Sequence, residues 1–338
     1  MSSQPFSSDT YEFYERYQHL EEAFQDEQRR QRRRRQRQDR ARQRAAEERA
    51  ALTDLNDHIA QFVPSYAAAL DPQHHERRWL IDSVASFYRN GLITDVTRIV
   101  KGGKEANVYC CTANPTSGFE LLAAKLYRPR MLRHLRNDAL YKESRPVLDA
   151  DGKELRSSGV QRAIRKKTRF GRHVDLMSWI GHEYEVQQQL YAAGADVPQP
   201  VGHSGNTIMM AYIGDEWAPA PALNEITLTP QEAGPLFDRI MANVALFLDH
   251  HYIHSDLSAY NILYWQGEPI IIDFPQLVDA RKNRNAYNLL ARDVRRVCQY
   301  FADFGVEADA AALTRELWED YMGEPPLDRR PPLGMEAL

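Results

Sequence analysis

Cysteine is scarce in this chain of 338 residues: only Cys110, Cys111 and Cys298 occur, and no two are spaced as CxxC. That excludes a disulfide framework and a cysteine-based zinc site, and the expectation is buried thiols in a reducing compartment. Long apolar runs are also missing. No stretch approaches the roughly 18 apolar residues that a membrane helix needs. The N-terminal MSSQPFSSDTYEFYERYQ has no apolar core of a signal peptide, so a cytoplasmic protein with no membrane partner is expected. The formal net charge is only −4, which argues against a uniformly basic nucleic-acid domain, and no DNA partner is expected. The hydrophobic fraction of 43% is close to the globular norm and supplies a sizeable core.

Glycine and proline are absent between Glu21 and Arg49, where Glu, Gln and Arg dominate. Few apolar residues exist there to pack a helix, so residues 1–56 read as a solvated helical or disordered arm. Its sharpest charge block is Arg29, Arg30, Arg32, Arg33, Arg34, Arg35 and Arg37. A merely solvated helix explains it. So does a surface at 29–49 for RNA, a ribosomal particle or an acidic protein, since arginine pairs well with phosphate.

Beyond Pro64 the pattern becomes globular. Trp79, Leu80, Val84, Phe87 and Tyr88 recur at helical spacing, with a stop at Asn90-Gly91. Strand, turn and strand follow: Ile99-Val100, the loop Lys101 to Glu105, then Asn107 to Cys111. Leu121 to Tyr127 reads as a third strand with Lys125 inside an apolar run. A long loop is expected over about 131–175, then a helix from Leu176 to Ala193 and a strand from Thr207 to Ile213. Later helices are expected over Pro230–His251, Tyr287–Phe304 and Ala308–Tyr321, with short strands at Ile262–Tyr264 and Ile270–Ile272 between the first two. Strands first and helices afterwards make an α+β layout: a small sheet lobe, then a helical lobe. The division expected is arm 1–56, N-lobe 57–213, C-lobe 214–325 and tail 326–338.

One constellation carries chemistry. His254-Ser255-Asp256-Leu257-Ser258-Ala259-Tyr260-Asn261 precedes an apolar hairpin that ends at Asp273. Phosphoryl transfer needs one carboxylate to orient the nucleophile, and an amide oxygen with a second carboxylate to hold Mg²⁺ on nucleotide phosphates. Asp256 fits the first role; Asn261 and Asp273 fit the others. Each alone is an ordinary turn residue. A lysine inside an apolar strand needs an anionic partner or a route to solvent, and for Lys125 the expected partners are the phosphates and Glu183, with Glu185 second. Gly102-Gly103-Lys104-Glu105 joins two strands and could bring backbone amides to phosphates, although a Gly-Gly hairpin explains it equally well. It is not a P-loop, because no GKS/T ending is present. His250, His251 and His254 lack a convincing further metal ligand, and His254 has a better use bracing the catalytic loop.

These residues resemble a known family. Gly103-Lys104-Glu105-Ala106-Asn107-Val108-Tyr109 resembles the GKEANVY signature of the RIO kinases, nearest to their first subfamily. Met210 to Asp215 resembles the family's hinge, His254 to Asn261 its catalytic loop, and Ile272-Asp273-Phe274-Pro275-Gln276 its metal loop in second-subfamily wording. The resemblance covers roughly residues 77–305. It implies a bilobal protein-kinase-like fold of RIO type, with a small β-sheet N-lobe and a reduced helical C-lobe. It implies ATP in the cleft with Mg²⁺, or Mn²⁺ in its place. Lys125 and Glu183 would form the N-lobe ion pair. Met210 would line the adenine pocket, with the backbones of Ala211 and Ile213 at the adenine edge. Asp256 would be catalytic, and Asn261 and Asp273 would hold the metal. Asp273 would also be a possible phosphoryl acceptor. The 65 residues after Asp273 show no APE-like segment, so the peptide groove of ordinary kinases is expected to be missing. An ATP-driven switch with autophosphorylation is therefore expected. The alternatives are a small-molecule phosphotransferase of the aminoglycoside or choline kinase type, and a nucleotide-binding scaffold associated with RNA or ribosomes.

Overall fold

The computed structural model describes residues 62–71, 75–128 and 168–323, together with Arg162 and Lys166. The arm 1–56, residues 131–161 of the expected loop and the tail 326–338 lie outside the described residues.

Five antiparallel strands build the N-lobe in the order β1-β2-β3-β5-β4: β1 Ile93–Gly102, β2 Ala106–Ala113, β3 Leu121–Tyr127, β4 Pro200–Ser204 and β5 Thr207–Ala211. β3 sits at the centre because Leu122 to Tyr127 is buried on both faces. Two expectations change. β1 starts at Ile93, not at Ile99. Three register shifts along it break the alternation of buried and exposed residues, so Thr94, Asp95, Thr97 and Arg98 hide a period of two. β4 is an addition: its proline and glycine weaken any strand signal, and the sheet tolerates them because β4 is an edge.

Two helices flank this sheet, after a short α1 at Ser65–Ala68. α2 spans His75–Arg89 and buries Leu80, Val84 and Phe87, as its spacing predicts, but Tyr88 points to solvent. Glu76 of α2 accepts from the Tyr109 hydroxyl at 2.7 Å and Asn107 Nδ2 at 3.2 Å, which ties the helix to β2. α3 runs from Arg169 to Ala192 and turns Ile180, Glu183, Val186 and Leu190 inward.

The C-lobe packs around α4, Pro230–Asp249. Thr229 and Glu232 cap its start reciprocally, and Pro230 fits the first turn, where no amide hydrogen is needed. The two-residue strand β6, Tyr252–Ile253, pairs with β9, Val278–Asp279. Between them lies the hairpin of β7, Ile262–Trp265, and β8, Glu268–Ile271. Its turn residues Gln266 and Gly267 both have positive φ, 53° and 88°, the twist that joins antiparallel strands tightly. α5, Ala286–Ala302, and α6, Ala310–Gly323, close the lobe. Phe237, Ile240, Phe247, Val294, Val297 and Phe301 fill its core. Among the described residues no helix is long and apolar enough to cross a membrane.

α5 also buries an acid. Asp293 is 2% exposed, and the backbone amides of Ser255 and Leu257 face it. Burial raises its carboxyl pKa from 3.8 to about 7, against the opposing pull of Arg292. The folded chain therefore keeps a proton that the unfolded chain releases between pH 3.8 and about 7, and stability falls as pH rises through that window. Asp293→Asn should lose this slope. Urea unfolding of wild type and variant across the window checks it; a constant difference between the two would contradict the assignment.

Candidate active site

β3 aims the side chains of Lys125 and Tyr127 to the same side, because residues two apart share a strand face. α3 meets them with Glu183. Lys125 Nζ lies 2.9 Å from Glu183 Oε1 and 2.7 Å from Asp273 Oδ1. The Tyr127 hydroxyl donates to the other oxygen, Glu183 Oε2. Both carboxylate oxygens are thus held by one strand. Burial opposes the charge on Lys125, but the Asp273 and Glu183 carboxylates overcome that cost and hold its pKa well above the ordinary lysine value. Burial, reinforced by Glu183, keeps the Tyr127 phenol well above its own ordinary value, so it remains a donor. Glu185, the second choice for this partner, is half-buried two residues further along α3, and the bond to Lys125 is made by Glu183 instead.

Asp273 follows β8 with φ of 74°, a left-handed conformation that costs a non-glycine residue about 1–3 kcal/mol and concentrates at functional sites. Crowding by protein pushes its carboxyl pKa up, yet Lys125 and His254 bring it below the usual aspartate value, and 44% of the side chain stays accessible. His254 accepts the amide of Asp256 at Nδ1, 3.3 Å away, and places Nε2 3.0 Å from the Ile272 carbonyl. It braces the loop at 254–257 against the segment at 272–273, and burial holds its pKa below the ordinary imidazole value.

The loop around Asp256 is wired to both neighbours. Asn261 Nδ2 donates to the Asp256 carbonyl at 2.9 Å and approaches Asp256 Oδ2 at 3.4 Å, while the Asn261 carbonyl accepts from Ile272 N at 2.9 Å. Asn261 and Asp273 therefore flank the same end of the β7–β8 hairpin. Arg296 Nη1 of α5 lies 3.0 Å from Asp256 Oδ1, and the Arg292 guanidinium donates to the Ser255 carbonyl. Ser255 has φ of 63°, so α5 helps hold a strained loop.

The remaining expected positions are placed as follows. Gly102 ends β1, and Lys104 is exposed in the turn. A Cβ on Gly103 would come within 2.6 Å of the Ala106 carbonyl, so glycine is required there. Its amide is directed to Asn107 Oδ1 at 3.3 Å, not left open toward the cleft. Met210 and Ala211 end β5, half-buried. The Ala211 amide is taken by the Gln199 carbonyl, and the Ile213 carbonyl by the Ala220 amide. That restricts a purine edge at this pair to the Ala211 carbonyl and the Ile213 amide.

Other residues at the site carry no clear sequence signal. Tyr127 is the exception, since it sits two positions after Lys125 on one strand. The Arg98 guanidinium reaches from β1 to the hinge, to the Glu216 carbonyl at 2.8 Å and the Tyr212 hydroxyl at 2.9 Å. Arg296 and Gln276 approach Asp256 only in the folded chain.

The donor set suits a hard cation. An accessible aspartate carboxylate and an asparagine amide beside it match what Mg²⁺ takes from protein when phosphates supply the remaining oxygens. Among the described residues no group of three or more His, Cys, Asp and Glu side chains forms a metal cage of its own, and the three histidines 250, 251 and 254 form none.

Tyr127→Phe removes one hydroxyl and strands a buried carboxylate oxygen. The expected loss is about 1–3 kcal/mol of stability. Chemical unfolding measures it, and an unchanged midpoint would show that the hydroxyl contributes nothing to the α3 attachment.

A family model described as the RIO domain matches residues 141–313. The chain is 27% identical over 259 residues to serine/threonine-protein kinase rio1 of Schizosaccharomyces pombe, covering 76% of this chain and 46% of that protein. It is 26% identical to serine/threonine-protein kinase RIO1 of Homo sapiens, over 68% of this chain and 36% of that protein. It is 30% identical over 143 residues to the RIO-type serine/threonine-protein kinase Rio1 of Thermoplasma acidophilum, over 42% of this chain and 74% of that protein. The chain thus spans less than half the length of the first two of these relatives. With an antiparallel sheet lobe, a helical lobe and the Lys125–Glu183–Asp273 contact between them, the chain belongs to the RIO family, with its α+β kinase-like fold.

Proposed function

We propose that the chain binds ATP with Mg²⁺ between its lobes and transfers the γ-phosphoryl group, as a RIO-type serine/threonine kinase or ATPase. One observation carries this reading: Lys125 of the sheet lobe is held between Glu183 of α3 and Asp273 of the helical lobe. A buried cation in that position meets phosphates entering the cleft, and Glu183 with Tyr127 keeps it aimed. The relatives' names, which describe serine/threonine-protein kinases, point the same way.

When bound, Mg²⁺–ATP supplies the transferable phosphoryl group and a cation to offset its charge. The chain's own residues do the rest. Asn261 and Asp273 hold the metal. Met210 lines the base, with the Ala211 carbonyl and Ile213 amide at its edge. Gly102, Gly103 and Lys104 cover the phosphates. Asp256 orients the attacking hydroxyl or water and takes up its proton as the new phosphorus–oxygen bond forms and ADP leaves. Asp273 is a second candidate acceptor: its carboxylate oxygen attacks phosphorus, ADP departs, and an acyl phosphate remains for water to cleave. Such a cycle would serve a conformational switch.

Asp256→Ala should lower Mg²⁺-dependent ATP turnover by on the order of 10²–10⁴. Equal rates would remove Asp256 from catalysis. Intact-mass analysis after incubation with Mg²⁺ and ATP should show an adduct that hydroxylamine removes; an adduct stable to hydroxylamine would assign the phosphate to serine and not to Asp273.

The Arg-rich run at 29–49 supports a further partner, a ribosomal particle or RNA. Deleting residues 1–56 should flatten the salt dependence of RNA binding, because each phosphate contact adds to that slope. An unchanged slope would dismiss the arm as the contact.

A further inference from the structure

α5 has an unusual charge balance for a chain of net charge −4. It carries Arg292, Arg295 and Arg296 against one acid, Asp293, which is buried. Spacings of three and four residues bring the three arginines to one side of the helix. Two of them serve the catalytic loop. Arg292 donates to the Ser255 carbonyl, and Arg296 pairs with Asp256 at 3.0 Å while 40% of its side chain stays accessible. Arg295 does neither: it is exposed and, among the described residues, forms no ion pair. The turn Ala259–Asn261 packs against the same helix, and its Tyr260 is 66% exposed. A cationic strip therefore borders the carboxylate that would orient the acceptor, with an exposed aromatic on the adjoining turn.

We infer that this face docks an acidic stretch of polypeptide whose serine or threonine hydroxyl reaches Asp256. The inference rests on the phosphoryl-transfer reading and names its acceptor class. Guanidinium groups pair bidentately with carboxylates, and groups one helical turn apart suit successive acidic side chains. Single-stranded RNA fits less well, since it is held by several stacking platforms along a groove and Tyr260 is one. In the reaction the hydroxyl oxygen bonds to the γ-phosphorus, the bond to the ADP oxygen breaks, and the hydroxyl proton passes to Asp256. Arg296 would release Asp256 Oδ1 and pair instead with a flanking carboxylate of the peptide as the acceptor seats. The strip would replace the groove that ordinary kinases use.

The test uses the full chain and three fluorescent peptides, each with one central serine flanked by Glu, by Gln or by Lys. Binding is read by anisotropy without nucleotide, and phosphorylation with Mg²⁺–ATP. The Glu-flanked peptide should bind about tenfold tighter than the Gln-flanked one, with an affinity that falls as salt rises. Arg295→Glu should lose about tenfold of that affinity, Arg295→Lys should keep most of it, and ATP turnover without peptide should stay within about twofold in both. Equal affinity for the three peptides would overturn the inference, as would wild-type affinity in Arg295→Glu. Displacement of the Glu-flanked peptide by an equally charged RNA oligomer at lower concentration would overturn it in favour of RNA. The two readings fail separately. Peptide preference without any ATP turnover would sink the transferase and leave the docking face; turnover without preference would sink the docking face alone.

Discussion

A single ammonium group links everything in the cleft. Lys125 stands inside an apolar strand, where a lone charge would be costly, and two carboxylates from different parts of the chain make it tolerable. Removing one partner of the buried Lys125–Glu183 pair should cost about 3–5 kcal/mol, because the survivor is left uncompensated; the accessible Asp273 is screened by solvent and contributes less. The position of α3 and the conformation of Asp273 are thus fixed by the same requirement. Tyr127 completes it by occupying the second oxygen of Glu183. The sheet lobe cannot shift relative to α3 without breaking two bonds to one strand.

On the other side of the cleft, order comes from beneath. The loop at 254–257 includes a left-handed serine, and its backbone groups need partners. α5 supplies one through Arg292, while His254 ties the loop to Ile272. Arg296 then engages Asp256 itself. One side of α5 therefore both supports the loop at 254–257, through Arg292 and Arg296, and shows positive charge to solvent. The apolar residues of α5 face the core while its arginines lie along the side toward the loop, as helix periodicity allows.

Much of the fold is legible in the sequence, and the gaps have physical causes. Long periodic segments such as α4 and α5 stand out, because a stripe of apolar residues at helical spacing is what a helix laid on a core requires. β3 is equally plain, as a short apolar run bounded by turns. The first half of β1 is hidden because three bulges scramble its alternation, and β4 is hidden because Pro200 and Gly202 look like loop residues until their edge position is known. At the site, chemistry and helix phase pair Lys125 with Glu183, and the fold brings them within 2.9 Å. Gly103 goes differently: its amide faces Asn107, because the turn must first satisfy its own backbone.

The amino-acid order by itself determined which residues were candidates for chemistry: an apolar strand with one lysine, a loop with aspartate and asparagine five apart, and an aspartate closing a hairpin. Local periodicity and side-chain type suffice for that, since both are properties of neighbours along the chain. Only the tertiary structure decided that Lys125 meets Asp273 across 148 positions, that Arg98 grips the hinge, and that Arg296 sits on Asp256. Those contacts join segments with no sequence relation to one another, and they exist because packing, between the lobes for Lys125 and Arg98 and within the helical lobe for Arg296, brings distant segments together.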